Sequence, residues 1–375
     1  MKKILSLFGL FITIMFLSYC TKNVDTSGLK NPDFSKLNQN YAEVNQFLAF
    51  FGGPCDFCPQ DFTKFVDNNK AALGRVLFYD TRLSQNNSLS CGTCHIQSLG
   101  FADGLDKSIG FNGKKTVRHS MAISNLANMN GFFWDNSRST LADQSLRPVK
   151  NHLEMGLEDM KYLTEKLKST IYYPGLFFDA FGDAEITEAR IGEAMSNFLT
   201  SMFSFNSKFS QNSNIGFNNF TPIEKQGLAL FFSQQYKCGT CHSTSLSLDN
   251  GRYEDPIDPF TPNAQVPGSN IGLDNTTTDM GNGQGKFKIP GLNNITVTAP
   301  YMHDGRFQTL DEVLDHYSHG IKNNPVLDGR LKDKHGKAIT MNFTTEEKRA
   351  LIAFLATLTD QKYLTDPKFS DPFKK

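Results

Sequence analysis

Hydrophobic residues recur at helical spacing in two stretches of the chain. Leu73, Leu77 and Phe78 lie on one side of a predicted short helix, because residues four apart share a helix face. Between residues 186 and 203 the apolar positions step by four, three and four. This spacing predicts a second amphipathic helix, whose buried stripe consists of Ile191, Met195, Phe198 and Met202.

Two more helices are indicated by their first residues. The segment Thr221-Pro222-Ile223-Glu224 has the form of a capping box with proline at the first helical position. Its helix continues through Leu228, Phe231 and Phe232. A second capping box, Thr344 to Glu347, precedes an apolar face made of Leu351, Phe354, Leu355 and Leu358.

Polar and glycine-rich segments separate these helices. Residues 98–131 are rich in Gly, Asn and Ser, and residues 249–290 are rich in Asp, Asn, Gly and Pro. Both segments are therefore predicted to be mostly loop. Residues 206–219 are predicted to be a polar linker, and residues 21–40 a flexible tether.

One five-residue motif, C-x-x-C-H, occurs twice, each time after a predicted helix. It is the attachment motif of a c-type haem, in which both thiols bind the porphyrin and the histidine binds the iron. A zinc site or disulfides built from the C-x-x-C pairs are the alternatives. The sequence predicts two covalently bound haem c groups on Cys91, Cys94, His95, Cys238, Cys241 and His242.

The order of helix, haem motif, long loops and closing helix occurs twice and is that of a cytochrome c domain. We predict an all-α fold of two cytochrome c-like domains, each with one covalently attached haem c and long irregular loops between short helices. The expected boundaries are 61–210 for the first domain and 215–365 for the second. Domains this small need the haem as part of their core.

The first residues indicate export. Two lysines and the apolar run from Ile4 to Leu17 are typical of a signal peptide and too short to span a membrane. The ending Leu17-Ser18-Tyr19-Cys20 resembles a lipoprotein signal, with an ordinary secreted protein as the alternative. Residues 1–20 are then the signal and 21–60 a tether and lead-in. We expect a periplasmic protein anchored by lipid on Cys20, with the outer membrane favoured because no Asp follows Cys20.

Charge and cysteine usage narrow the functional classes. The chain has 38 basic and 38 acidic residues, so no basic field points to a nucleic-acid partner. Of the 7 cysteines, only Cys55 and Cys58 remain after lipid and haem attachment. In an oxidising compartment they are expected to form a local disulfide, with a redox role as the alternative.

Further motifs follow in a fixed order: Phe132–Asp135, Leu141–Gln144, Pro148, Leu153–Gly156, Thr298–Gly305 and Leu310–Val313. Together with the haem motifs they resemble the bacterial di-haem cytochrome c peroxidases and the related enzyme MauG. The resemblance covers about residues 70 to 360. It implies that the haem on His95 binds hydrogen peroxide and that the haem on His242 transfers electrons.

The same resemblance implies roles for three side chains. Glu154 matches the carboxylate that moves a proton between the two peroxide oxygens, which cleavage of the O–O bond requires. Gln144 matches another residue of the peroxide pocket. Trp134, the only tryptophan in the chain, matches the residue between the haems.

The chain departs from the family pattern at the peroxide haem. Many family peroxidases carry a blocking distal histidine sixteen residues after the proximal one, and that count from His95 reaches Phe111. Phenylalanine cannot bind iron, so we expect a peroxide haem that is five-coordinate or holds only water at rest. His119 is the alternative distal ligand.

The electron-transfer haem and a calcium site show two more departures. Many relatives have a methionine ligand fourteen residues after the histidine that corresponds to His303, where this chain has Tyr317. Tyr317 is the preferred iron ligand, and the alternatives are His316, Met302, Met280 and His319. The family also holds a calcium ion with backbone oxygens matching Thr298 and Pro300, but the family's asparagine ligand aligns with His119.

The resemblance therefore implies a periplasmic di-haem c-type peroxidase that reduces hydrogen peroxide to water. Its electrons would come from a small redox protein such as a cytochrome c, a cupredoxin or a quinol-linked protein. One alternative is a MauG-like oxidase that uses peroxide to modify a partner protein or substrate. Another is a non-catalytic di-haem electron carrier. A homodimer is expected because family members are often dimeric.

Overall fold

The described part of the chain consists of short helices joined by long loops. The computed structural model describes residues 29–46, 65–129, 131–242, 268–276 and 278–373. In these ranges β-structure is limited to isolated bridges, and a π-helix, His316–Gly320, follows α9. The α-helices with described bounds are α1 Asn68–Tyr79, α2 Cys91–Cys94, α3 Leu141–Lys150, α4 Met160–Lys168, α5 Tyr173–Phe181, α6 Glu188–Ser201, α7 Lys208–Asn212, α8 Pro222–Phe231, α9 Leu310–Asp315, α10 Thr345–Ala356 and α11 Gln361–Thr365.

The apolar faces of these helices form two large cores. α1 and α6 contribute to the first core, and α8 and α10 contribute to the second. Cys91 packs against the first core and Cys238 against the second. Each haem motif therefore adjoins a core of its own, as expected for two cytochrome c-like domains, and the all-α prediction is confirmed.

Both cores contain the same close helix crossing. A Cβ atom on Gly74 of α1 would collide with the carbonyl group of Ala194 in α6. A Cβ atom on Gly227 of α8 would collide in the same way with the carbonyl group of Ala350 in α10. Glycine allows the two backbones to approach each other at these points. The repeated crossing is what a duplicated domain predicts.

The predicted helices are confirmed together with their caps. Glu224 accepts a hydrogen bond from the amide of Thr221 at 2.6 Å, and the Thr221 hydroxyl accepts one from the amide of Glu224 at 3.4 Å. The capping box at Thr344 forms in the same way. Side chains expected on the buried faces are buried, including Leu73, Leu77, Phe78, Ile191, Met195, Phe198, Phe231, Leu351 and Phe354.

The segment predicted as a polar linker is partly helical and contributes to the second core. α7 lies within residues 206–219, and Phe209 and Phe217 are buried with their ring centroids 5.1 Å apart. The amide of Phe209 also donates to the carbonyl oxygen of Thr357 at 2.9 Å. The linker prediction was wrong because two aromatic residues, and not the polar majority, determine how this segment packs.

The described part of the predicted tether is also packed. Leu37, Tyr41 and Val44 are buried in the first core, and the amide of Asp33 donates to the carbonyl oxygen of Pro372 at 2.9 Å. Residues 29–46 are therefore not a free linker. Cys20, Cys55 and Cys58, for which lipid attachment and a disulfide are predicted, lie outside the described residues. Among the described residues, no helix has both the length and the apolar character that crossing a bilayer requires.

A buried arginine fastens both ends of the described chain to α1. Arg75 is fully buried, and its guanidinium donates to the carbonyl oxygens of Lys36, Pro367 and Ser370, each at 2.7 Å. It also donates to the hydroxyl of Tyr41 at 3.1 Å. These acceptors are neutral, so hydrogen-bond geometry compensates for the loss of hydration of the cation.

Replacing Arg75 with methionine should lower the free energy of unfolding by about 3 kcal/mol, because several buried carbonyl groups lose their donor. Denaturant unfolding of the haem-loaded protein measures the change. Arg349 is exposed on α10, so Arg349→Met serves as the control and should cost less than about 0.5 kcal/mol. Equal losses in the two variants would contradict this account.

Candidate functional site

Both haem motifs open into one large cavity. Its volume is about 1230 Å³, and it is lined by His95, His242, Glu154 and Trp134. The structure thus brings together residues that lie far apart in the sequence. The other predicted site residues that line the cavity are Gln144, Tyr317, Thr298, Pro300 and the four motif cysteines.

The two histidines are oriented by the same kind of hydrogen bond. Nδ1 of His95 lies 2.7 Å from the carbonyl oxygen of Phe101, and Nδ1 of His242 lies 3.1 Å from that of Pro290. Each bond requires the proton on Nδ1 and leaves Nε2 able to bind iron. Burial also lowers the pKa of His95 and lowers that of His242 to about 4, so both rings are neutral at pH 7.

The first variable residue of each haem motif lies against an aromatic ring. A Cβ atom on Gly92 would collide with the ring of Tyr79, and one on Gly239 would collide with the ring of Phe232. These rings stand at the ends of α1 and α8, so the preceding helix positions each motif. Neutral imidazoles, thiols beside each imidazole and a mainly apolar cavity are the features that a covalently bound haem requires. The residues present therefore fit two haem groups.

Glu154 lies in the turn that follows α3. Nδ2 of Asn151 donates to its Oε1 atom at 2.7 Å, and the amide of Glu154 donates to the carbonyl oxygen of Asn151 at 2.9 Å. Burial raises the pKa of Glu154, and the hydrogen bond from Asn151 offsets part of that effect. The side chain is thus held in one place, and its raised pKa lets it bind a proton more readily than an ordinary carboxylate does.

Phe111 does not line the cavity, although the sequence places it where relatives carry a blocking ligand. Its ring occupies the space where Gly156 would carry a Cβ atom, and its amide donates to the carbonyl oxygen of Glu154 at 2.8 Å. Gly110 lies equally close to the carbonyl group of Leu153. The loop that holds Phe111 is therefore fastened to the loop that holds Glu154, and the phenyl ring packs against Gly156 and is not part of the cavity wall.

His119 lines the cavity, but its surroundings do not favour the distal position. Its Nδ1 atom lies 2.8 Å from the carbonyl oxygen of Leu105. The neighbouring hydroxyl of Ser120 lies 3.4 Å from Nδ1 of His95, on the side of that ring away from the iron-binding nitrogen. His119 is thus next to a residue on the proximal side, whereas a blocking ligand has to approach from the opposite face.

Trp134 stands between the two halves and is fixed at both ends. Its indole nitrogen donates to the carbonyl oxygen of His119 at 2.8 Å, and its own carbonyl oxygen accepts from the amide of Lys288 at 2.7 Å. Arg118 forms ion pairs with Asp135 at 2.7 Å and with Asp279 at 2.8 Å. These contacts join the tryptophan loop to the second half of the chain.

The tryptophan loop has a counterpart in the second half. Phe132 pairs with Arg138 through an isolated bridge, and Tyr301 pairs with Phe307 in the same way, six residues on. The next residues, Phe133 and Met302, both have a positive φ, 64° and 74°. When the two loops are aligned, Trp134 and His303 occupy equivalent positions. The ring of His303 is stacked on that of Phe287, with a centroid distance of 3.7 Å.

Tyr317 lines the cavity on the side of the second haem motif. Burial raises the pKa of its phenol, and so do the nearby thiols of Cys241 and Cys238. It lies within the π-helix, a form of helix that is frequent at functional sites. Of the alternative ligands, Nε2 of His316 is taken by the carbonyl oxygen of Ile271 at 3.0 Å.

The remaining alternatives differ in position. Met280 and His319 are exposed, whereas Met302 lines the cavity. The geometry therefore favours Tyr317, with Met302 as its remaining competitor. Thr298 and Pro300, the predicted calcium ligands, line the same cavity. The imidazole of His119 is bonded to Leu105 and supplies no oxygen ligand.

Two residues of the site were missed by the sequence reasoning. They are Arg118 and Lys288, neither of which was predicted to belong to it. The available signal for Lys288 was its place directly between two apolar residues, Phe287 and Ile289. Arg118 carried no such signal, since it lies in a polar loop.

The comparisons with known proteins identify the family. The family model for di-haem cytochrome c peroxidase matches residues 68–214. The methylamine utilization protein MauG of Methylorubrum extorquens is 34% identical over 300 residues, which are 77% of this chain and 78% of that protein. The cytochrome-c peroxidase IdrP1 of Pseudomonas sp. (strain SCT) is 30% identical over 315 residues, covering 77% of this chain and 80% of that protein.

Solved structures agree with these relatives. A MauG-like protein associated with microbial copper homeostasis superposes with a TM-score of 0.69 and 34% identity, covering 82% of this chain and 94% of that one. The di-haem peroxidase BthA of Burkholderia thailandensis has a TM-score of 0.65 at 24% identity, over 80% of this chain and 89% of that one, and shares the fold. The predicted resemblance is confirmed: the chain belongs to the di-haem cytochrome c peroxidase family, which includes the MauG proteins.

Proposed function

We propose that the protein is a c-type peroxidase that reduces hydrogen peroxide to water with electrons from a small redox protein. The observation that carries the proposal is the position of Glu154. Its carboxyl group is held by Asn151 and lines the same cavity as His95. Bound haem supplies the iron at which peroxide is reduced and the route by which electrons arrive.

The side chains of the pocket have separate proposed roles in proton transfer, peroxide binding and iron binding. Glu154 accepts a proton from one peroxide oxygen and returns it to the other, so that water can leave. Gln144 offers an amide that can hold peroxide by hydrogen bonds. His95 and His242 would bind the two irons through Nε2, because Nδ1 of each ring is already bonded to a carbonyl oxygen.

Trp134 is proposed to connect the two haem sites. Its ring lines the shared cavity, and hydrogen bonds from both halves fix its position. A fixed aromatic ring between two redox centres shortens the distance that electrons must cross. Tyr317 is proposed as the second ligand of the electron-transfer haem, on the support of its place in the cavity wall and beside Cys238 and Cys241.

Among the functions considered, peroxide reduction is the best supported. Relatives named cytochrome-c peroxidase occur in Pseudomonas sp. and in Escherichia coli, and the family model carries the same activity in its name. Modification of a partner protein, as in the MauG-like alternative, is not favoured over it. A carrier without catalysis has no need for the half-buried carboxyl group of Glu154 in the cavity beside the first haem motif.

The location and partners belong to the same proposal. The apolar run from Ile4 and the ending before Cys20 support a periplasmic protein anchored by lipid, with the outer membrane favoured. A cytochrome c or cupredoxin is the proposed donor, and a homodimer the proposed assembly. A calcium ion held by backbone oxygens of Thr298 and Pro300 is proposed in the wall of the cavity.

Glu154→Gln should lower the rate of peroxide consumption by about 10²- to 10⁴-fold, because the amide cannot accept the peroxide proton. The wild-type rate should fall as the pH is lowered through the raised pKa of Glu154, above the ordinary value of 4.5. Glu154→Gln should lack this acid limb. The measurement is steady-state peroxide consumption with a reduced donor, at equal haem content.

Glu158 provides the matched control because it is exposed four residues further along the chain. Glu158→Gln should retain the wild-type rate and acid limb. If Glu154→Gln consumes peroxide as fast as Glu158→Gln does, the proposed function loses the observation that supports it.

Tyr317→Phe should change the visible spectrum and raise the reduction potential of only one haem if the phenol oxygen binds iron in the wild type, because the oxidised iron then loses an anionic ligand. Tyr317→Met should raise that potential above the wild-type value, because a thioether favours the reduced iron more than an anionic oxygen does. Spectroelectrochemistry of the two haems measures both effects. Tyr301→Phe is the control, since the Tyr301 hydroxyl also lies at the cavity but donates to the carbonyl oxygen of Ile295. Spectra of Tyr317→Phe identical to those of Tyr301→Phe would remove Tyr317 as a ligand.

A further inference from the structure

Lys288 places an ammonium group inside the cavity wall between the two halves. The residue is only 8% exposed. Its Nζ atom donates to the carbonyl oxygen of Gly131 at 2.7 Å and to the sulfur of Met129 at 2.9 Å. The ring of Phe132 lies below it, with the centroid 5.6 Å away. Two of its three N–H donors are thus used, and all these partners are neutral.

No carboxylate among the described residues lies within ion-pair distance of Lys288. Burial alone lowers its pKa to about 7, because an ammonium loses its hydration there without gaining an opposite charge. The arginines in the same cavity wall differ in this respect. Each forms an ion pair with an aspartate, namely Arg118, Arg138, Arg147 and Arg330.

The cavity is the site that the motifs and the family assign to two haem groups, and each haem carries two propionate carboxylates. A buried cation with a donor left over is the group that such a carboxylate would bind. We propose that the Lys288 ammonium forms a buried ion pair with a propionate of one of the two haems. This inference rests on haem binding and not on the peroxidase activity.

The backbone around Lys288 fixes where that charge is placed. Its amide donates to the carbonyl oxygen of Trp134 at 2.7 Å. Two residues later, the carbonyl oxygen of Pro290 orients the imidazole of His242. A positive charge held at this junction opposes the additional positive charge of an oxidised iron, and it therefore raises the reduction potential of the haem that it pairs with.

A purely structural role is the competing account. In that account the ammonium only fastens the loop at Met129 and Gly131. Substitutions of Lys288 that keep the charge, or that keep only the length of the side chain, therefore distinguish the two accounts. The structural role requires the hydrogen bonds, whereas the ion pair requires the charge.

The test is a redox titration of both haems in the haem-loaded protein, followed by visible spectroscopy. Lys288→Met should lower the midpoint potential of one haem, and Lys288→Arg should restore most of it. The haem whose potential shifts is the one that carries the paired propionate. Lys286→Met is the control, because Lys286 is exposed two residues away and its charge is screened by water. Lys286→Met should shift either haem potential less than Lys288→Met does.

The ion pair is contradicted if Lys288→Met shifts neither haem potential further than Lys286→Met does. If the methionine variant does not fold, the haem potentials of Lys288→Gln are compared with those of Lys286→Met instead, since an amide can still donate to Gly131. Resonance Raman of Lys288→Arg gives an independent readout. The propionate bending bands of one haem should shift, and bands identical to the wild type would reject the proposal. None of these measurements requires turnover, so loss of peroxidase activity by itself leaves the inference standing.

Discussion

The histidine of each haem motif is oriented by one hydrogen bond from its ring to the main chain. For His95 the acceptor is the carbonyl oxygen of Phe101, a residue whose φ of 61° is unfavourable for a side chain of its size. The Phe101 ring is fully buried and lies 5.5 Å from the ring of Tyr363 and 6.3 Å from that of Phe78. Packing of the first core therefore holds the strained residue, and through it sets the direction in which the imidazole points.

The second histidine is held from the junction between the halves. The carbonyl oxygen of Pro290 orients His242, and the preceding segment bonds to Trp134 through the amide of Lys288. Arg118 binds aspartates on both sides of this junction. The position of the second imidazole is thus mechanically linked to the tryptophan that stands between the haem sites. A change in oxidation state at one site has a short covalent and hydrogen-bonded route to the other.

The sequence made the attachment sites and the helices predictable because both rest on local signals. C-x-x-C-H spacing, capping boxes and helical periodicity involve residues within a few turns of one another, and the predicted helices and caps appear in the structure. The orientation of Phe111 was not predictable in this way, since its ring is placed by Gly156, forty-five residues later in the chain. The buried role of Phe209 depended likewise on contacts with distant helices. Packing between distant segments, which no local pattern encodes, accounts for these differences.

The two haem sites have become unlike each other through short segments on a common framework. Both share the helix crossing at glycine, the aromatic ring beside the motif and the orienting carbonyl group. On the first side the Phe111 ring packs against Gly156, and a half-buried carboxyl group, Glu154, lines the pocket. On the second side a π-helix turns Tyr317 inward toward the motif cysteines. Reactivity toward peroxide requires space and a proton carrier, whereas electron transfer gains from a filled coordination shell that changes little on oxidation. Under the proposed function, the common framework positions both haems, and these two segments assign one task to each half.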